Sequence, residues 1–393
     1  MKMKIMWPFS DGALGSSGMA RASIVALCFC LILTAATHAQ QQADAGSVIS
    51  EHVRFIIFDV AGAGTGASQG TFPIGINTFK VVTGYYTDAS NVNHGFVRAS
   101  SGTITSFDAP GAGTSAYQGT TPLSVNASGV IAGYYLDKSN VSHGFVRAAN
   151  GTITTFDAPG AGTSAYQGTY AFGINVFGVV SGNFRDASEV VHGFVRAASG
   201  TIKTFDVTGA SGTYGNFINT AGEIQGRYYV GTSPVGQGFV RAKNGTITTF
   251  SVPGAGGTGG QYLAGTFPYG ISNGGVVAGF YADASNVYHG FARAADGTIT
   301  TFDPPGTGTN AGQGTTAGGI NGTGEITGSY ADAASMYHGF VRTAGGTITT
   351  FDAPGAGTGA NQGTGGSGID AVGDVTGSYV DSTNVSHGFV RTH

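Results

Sequence analysis

Cysteine, tryptophan and charge are all scarce in this sequence. Its 393 residues include two cysteines, Cys28 and Cys30, and one tryptophan, Trp7. All three fall in the first 39 residues, which have the marks of a leader. Arg21 precedes an apolar run from Ile24 to Ala36, too short to span a bilayer comfortably, and Thr37-His38-Ala39 offers a cleavage point. Residues 1–39 are therefore expected to be a secretory signal peptide, with Met19 a more natural start than Met1, and residues 40–51 a linker. The mature chain then has no disulfide and no thiolate metal ligand. It would be secreted, to the periplasm or the outside.

Charged residues make up 10% of the chain and leave a net charge of −4. Without a basic block or an arginine patch interleaved with aromatics, nucleic acid is excluded as a partner. No long apolar run follows the leader, so no membrane span is expected, and a monomer is. What the sequence has instead is 70 glycines and 41% apolar residues, the latter in the two-residue alternation of β-strands.

One stretch organises the rest. His143-Gly144-Phe145-Val146-Arg147 and Thr152-Ile153-Thr154-Thr155-Phe156-Asp157 flank Asn150-Gly151, which reads as a β-hairpin with a two-residue type I′ turn. Counting outward from that turn puts Phe145 opposite Phe156 and Arg147 opposite Thr154. The same count pairs Phe96 with Phe107, Phe194 with Phe205, Phe239 with Phe250, Phe291 with Phe302, and Phe340 with Phe351. A seventh copy, His387-Gly388-Phe389-Val390-Arg391, ends before its partner strand.

The histidine position recurs at His94, His143, His192, Gln237, His289, His338 and His387, at intervals of 49, 49, 45, 52, 49 and 49. Each interval holds four strand-like runs separated by Gly, Asn, Ser and Asp. In the second they are Pro122 to Asn126, Val130 to Leu136, His143 to Ala148, and Thr152 to Ala158. A unit of this length with four antiparallel strands matches a propeller blade. The expected fold is all-β, a single seven-bladed β-propeller of four-stranded antiparallel blades over residues 52–393. Val53 to Asp59 resembles a fourth strand, and the C-terminus stops after a third. The N-terminal strand is thus expected to pair with His387 to Arg391 and close the ring, with Phe58 opposite Phe389.

Gly75-Ile76-Asn77, Gly173-Ile174-Asn175 and Gly319-Ile320-Asn321, together with Val82-Thr83-Gly84 and the His-Gly-Phe pieces, carry a resemblance that runs through nearly the whole mature chain. They resemble the HAF-type extracellular repeat, a bacterial family with Gly-Ile-Asn, a Gly-x-Val-Val-Gly strand and His-Ala-Phe. Gly144 and its equivalents stand where that family has alanine. The resemblance implies secretion and a repeat fold, and no particular activity.

Function is expected in the loops that a rigid scaffold presents. Two long polar loop types leave one face: the segment Pro110 to Thr120, repeated almost verbatim from Pro159 to Thr169, and the turn Asp137 to Ser142. Gln69, Gln118, Gln167, Gln313 and Gln362, with Tyr117 and Tyr166, form the candidate ligand-binding set. Asp88, Asp137 and Asp283 are weak candidates for calcium, since such turns lack the alternate oxygen ligands and bidentate acid of a calcium loop. Otherwise no cofactor is implied. The histidines read as structural hydrogen-bonding groups, and Arg98, Arg147, Arg196, Arg241, Arg293, Arg342 and Arg391 as covers for apolar surface or partners of carboxylates. Gly133 and its equivalents read as sites of close approach by a neighbouring unit. Symmetry breaks in the fourth unit, at Glu223, Arg227, Gln237 and Tyr228 to Pro234, and in the third, at Arg185 and Glu189. The sevenfold pattern favours a secreted binding or scaffold module for a glycan, a cell-envelope component or a protein. The alternative is an extracellular polysaccharide lyase or hydrolase with its site at the mouth of a central channel. No catalytic residue stands out.

Overall fold

The computed structural model describes residues 53–259 and 263–392. The expected leader, with Met19, Cys28 and Cys30, and the expected linker lie outside the described residues. Within them the protein is all-β, with no helix and so none long and apolar enough to cross a membrane.

The second unit shows why the sequence makes strands. Gly119–Val125, Ile131–Leu136, Ser142–Arg147 and Ile153–Phe156 pair in chain order, each antiparallel to the next. The third strand is buried on both faces: Phe145 is fully buried on one, and Ser142 and Gly144 are buried on the other. Pro122 lies on the first strand, which has only one strand partner over most of its length. It sits where the register shifts between Pro122 and Ser124, so its missing N–H costs no ladder bond. Gly133, directly opposite Pro122, is required by this strand of its own unit: a side chain would run into the Thr121 carbonyl. The close approach comes from within the unit and not from the neighbour.

The hairpin corrects the expected register by one residue. Ala148 N–H bonds the Thr152 carbonyl at 2.8 Å and Gly151 N–H bonds the Ala148 carbonyl at 2.9 Å, so the loop holds three residues, Ala149 to Gly151. Only Gly151 is left-handed, at φ +95°, whereas a type I′ turn would need Asn150 to be so as well. Asn150 is not left-handed, and its side-chain carbonyl takes the Thr152 N–H at 3.0 Å. Consequently Gly144 faces Phe156, Phe145 faces Thr155 and Arg147 faces Ile153. The same slip holds in the other internal hairpins.

A slip of one residue moves a side chain to the other face of the sheet. The phenylalanines of one hairpin are therefore not a pair. Each fourth-strand phenylalanine meets the third-strand phenylalanine of the next unit, as Phe107 meets Phe145 and Phe156 meets Phe194. Gly144 makes room for this, because a methyl there would lie 2.6 Å from the Phe156 ring. Each arginine of the expected set caps the same contact. Arg147 lies 4.8 Å above Phe107, and the other six repeat the arrangement.

The four-strand pattern recurs along the chain, and the last group is composite. Gly363–Ile369, Val375–Val380 and Ser386–Thr392 pair in order, and Arg54–Phe58 pairs antiparallel with Ser386–Thr392. There too the register is one residue from expectation, with Phe58 opposite Gly388 and Ile57 opposite Phe389. The first strands are neighbours in chain order, and the last of them, Gly363–Ile369, lies against the first, Gly70–Ile76.

Candidate functional site

The long loops are pinned by their glutamines. Gln118 is buried; its carbonyl accepts the Ser115 N–H at 3.1 Å, and its amide donates to the Lys138 carbonyl at 3.2 Å and to Asn140 Oδ1 at 3.0 Å. Gln69 holds Gly66, Ala89 and Asn91 in the same way, and Gln167 holds Ser164, Ala187 and Glu189. Gln313 and Gln362 repeat the contacts. The structure thus brings these glutamines together with the Asp-bearing turns, and engages their amides in joining loop to turn.

The residue before each of these glutamines is what the loop presents. Tyr117 and Tyr166 are 69% and 55% exposed and sit at φ +67° and +66°. Their backbone N–H groups dock on the preceding unit's turn, Tyr117 on the Asn91 carbonyl at 2.6 Å and Tyr166 on the Asn140 carbonyl at 2.7 Å. The equivalent positions elsewhere hold Ser68, Gly312 and Asn361, also left-handed. Gly and Asn adopt that conformation readily, whereas a tyrosine there is held at a cost of about 1–2 kcal/mol. Each tyrosine therefore stands at the junction of two units, with the Asn91 or Asn140 backbone beside it.

The aspartates of the turns face donors. Asp137 Oδ1 accepts the Ser139 and Val141 N–H groups, both at 2.8 Å, and Asp88 and Asp283 do likewise. The other carboxylate oxygen of Asp137 lies 3.8 Å from His143 Nε2, while His143 Nδ1 is 2.9 Å from Asp157. The imidazole stacks on Tyr135 with ring centroids 5.0 Å apart. Each of the six histidines is thus wedged between two carboxylates and an aromatic ring. Burial, with Asp157 alongside, pushes the Tyr135 phenol up, so it stays protonated. In the fourth unit Gln237 replaces the histidine, and its side-chain carbonyl takes the Tyr228 hydroxyl at 2.7 Å. In the third, Glu189 joins Gln167 and Arg185.

A second feature carries no long loop and was not legible as a site. At the turns after the first strands, a depression of about 250 Å³ is lined by Asn77, Asn126, Asn175, Asn219, Ser272, Asn321, Asp370 and their neighbours. Each asparagine caps its own turn through Oδ1, as Asn77 does for Phe79 and Val81 at 3.0 Å. Its amide reaches the next unit: Asn77 to the Asn126 carbonyl at 2.9 Å, Asn126 to Asn175 at 3.0 Å, and Asn321 to Asp370 at 2.9 Å. The recurring Gly-Ile-Asn was the available signal, but nothing in its spacing says that the amide reaches across to a neighbour.

No family model and no curated protein matches the sequence. Solved structures similar to it include TolB from Acinetobacter baumannii, at 10% identity over 80% of this chain and 64% of that one, with a TM-score of 0.44. The chain thus spans less than two thirds of that protein. BP39L lectin from Burkholderia pseudomallei is similar at 10% identity, over 80% and 95% of the two chains, with a TM-score of 0.48. AofleA from Arthrobotrys oligospora is similar at 14% identity, over 76% and 90%, with a TM-score of 0.44. At these values the likeness carries no functional argument, and function is argued from the chain's own residues.

Proposed function

We propose that this chain is a secreted seven-bladed β-propeller of HAF-type repeats, closed by its N-terminal strand, that binds a glycan at the junctions between its first three blades. The pairing of Arg54–Phe58 with the C-terminal strand supports the closure. So does the contact between the first and last of the inner strands.

One observation carries the binding reading: two large aromatic side chains are kept exposed in a backbone conformation that disfavours them. Strain of this kind persists where it serves a function. An exposed tyrosine offers a flat apolar face with a hydroxyl at its tip, suited to stacking against a sugar ring. The amides and hydroxyls of Asn91, Ser115, Asn140 and Ser164 supply polar contacts around it. The loops Gly111 to Thr120 and Gly160 to Thr169 are identical in sequence, so two like junctions sit one blade apart. A polymer with a repeating unit can occupy both, and linkage of the two events raises its apparent affinity without new contacts.

The test is a screen of the mature protein against glycans and cell-envelope polysaccharides, with and without calcium, followed by Tyr117→Gly, Tyr166→Gly and the double variant. Each single substitution should weaken binding, and the double should abolish it. Each should also raise stability by about 1 kcal/mol, as the left-handed strain is relieved. Unchanged binding by the double variant refutes the tyrosine-bearing junctions as the site. Secretion is checked separately, by finding a product processed after Ala39 outside the cytoplasm.

A further inference from the structure

We propose that Asp370 carries its carboxyl proton and donates it to the Asn77 carbonyl, so that with the Lys80–Asp374 ion pair it forms a pH-sensitive latch across the junction of the last unit with the first. The inference does not rest on glycan binding. It starts from the amide links around the depression, which depart from the pattern at Ser272 and Asp370.

At five positions an asparagine amide donates to the next unit's carbonyl. The accepting carbonyl also takes a turn N–H of its own unit: Asn126 accepts Gly129 N–H at 3.0 Å as well as the Asn77 amide. Asn77 accepts Lys80 N–H at 2.8 Å in the same turn, which leaves its second lone pair for the neighbour. The neighbour is Asp370. Asp370 Oδ1 accepts the Val372 and Asp374 N–H groups, both at 3.0 Å, as the asparagines do. Asp370 Oδ2, in the place of the donating amide, is buried without a partner among the described residues. An ionised carboxylate there would set one acceptor against another.

The charges around it leave one consistent arrangement. Asp374, on the same turn, is buried, and its Oδ2 lies 2.6 Å from Lys80 Nζ of the first unit. Lys80 is itself an exception, standing at φ +58° where the other units have glycine. Arg391, on the third strand, is buried near Asp374 and lies over Phe351. On the other side Asn321 donates to both the Asp370 carbonyl and Glu325, at 2.9 and 2.7 Å. Lys80 thus already serves Asp374, and Asp370 has no cation of its own. Burial first, and then the Asp374 charge, push the Asp370 carboxyl up, partly opposed by the turn amides and Lys80. The hydrogen bond with Asp374 holds Lys80 above its usual value, so that it stays charged.

An acid whose folded value is raised contributes fully below its unfolded value, and the contribution is lost as pH rises through the folded one. The latch should therefore be tight in acid and loosen toward neutrality. The experiment compares thermal unfolding of the full chain and Asp370→Asn across pH 4 to 8. Asparagine supplies the missing donor at every pH. The variant should match the wild type in acid and unfold at a higher temperature above the Asp370 titration. Equal pH dependence in the two proteins, or a lower midpoint for the variant throughout, overturns the proposal. Carbon-13 NMR of the aspartate carboxyls in the wild type decides it independently of how the variant folds. A signal that remains that of a neutral acid above the ordinary carboxylate range supports the latch; with Asp370 already ionised there, the latch is wrong. Lys80→Gly relieves backbone strain, yet it should lower the midpoint if the ion pair holds the junction. An unchanged or higher midpoint removes Lys80 from the latch.

Discussion

The ring of Phe107 meets that of Phe145 edge-on, with centroids 6.1 Å apart and 78° between the planes, although the two residues belong to consecutive units. The Arg147 guanidinium covers the face of Phe107 at 4.8 Å. Neighbouring units are thus joined by an aromatic and cationic interlock. Phe107→Ala should cost about 3 kcal/mol, the low end of the range for buried phenylalanines, since this ring is half-buried. A double-mutant cycle between Phe107 and Arg147, measured by chemical denaturation, should return a coupling of about 0.5–1 kcal/mol. The corresponding cycle between Phe145 and Phe156 should give a smaller one. The reverse order of couplings would restore the pairing within the hairpin.

Gln118 ties its own loop to the Asp-bearing turn. Gln118→Ala removes the part-buried bonds to Ser115, Lys138 and Asn140, which should cost about 1–3 kcal/mol in all. The effect should be local. Amide exchange should accelerate in residues 113–117 and in the turn at 137–141, with little change in the third-strand amides. Uniform acceleration across the whole domain would show that the glutamine supports the fold generally and not its loop.

Much of this architecture was legible because the repeats test one another. The spacing of the His-Gly-Phe pieces gave the four-strand units, and the incomplete last unit pointed to the N-terminal strand that pairs there. The register was missed because Asn-Gly serves both two-residue and three-residue turns. The choice depends on whether Asn150 turns left-handed or uses its side chain to accept Thr152 N–H, and the residue identities do not decide that. The role of the glutamines was missed for a related reason. Repetition marks a residue as important, but a loop anchor and a ligand contact repeat alike. Tyr117 and Tyr166 recur in two units only, and what sets them apart from the buried anchors, their exposure and left-handed backbone, is visible only in the fold. The seam residues Lys80, Asp370 and Asp374 were hidden by sequence distance, since nothing but the fold brings residue 80 to residue 374.

Acid should act on the turns. Burial tends to raise the Asp381 carboxyl, but the Val385 and Thr383 backbone amides, the Thr383 hydroxyl and His387 outweigh it and hold the group below its ordinary 3.8. Asp186 is held down in the same way by Val190, Ser188 and His192. A depressed carboxyl stabilises above its unfolded value, and the contribution is lost as pH falls through the folded one. Stability should therefore drop below about pH 4 by this route. Asp381→Asn should blunt that drop, because asparagine can still accept the turn amides but does not titrate. A variant as acid-sensitive as the wild type would show that the turn carboxylates do not set the acid limit.

The strand Arg54–Phe58 is the part of the fold most exposed to test, since nothing covalent ties it to its partner. Phe58 meets Phe96 at 6.0 Å and lies under Arg98 at 5.0 Å, while Phe55 meets Phe389 at 5.6 Å and Asp59 lies 2.9 Å from His387 Nδ1. The strand therefore makes the inter-unit interlock of an internal fourth strand without the three-residue turn. Deleting residues 53–60 would bare the edge of Ser386–Thr392 and the apolar surface beneath it, which invites strand-to-strand association. Phe58→Ala should cost about 3 kcal/mol, as Phe107→Ala does, because the two rings hold equivalent places. Thermal unfolding and light scattering of residues 53–393 and of residues 61–393 decide the matter. A lower midpoint and greater aggregation on deletion are expected; equal midpoints and equal solubility would make residues 53–60 a dispensable tail.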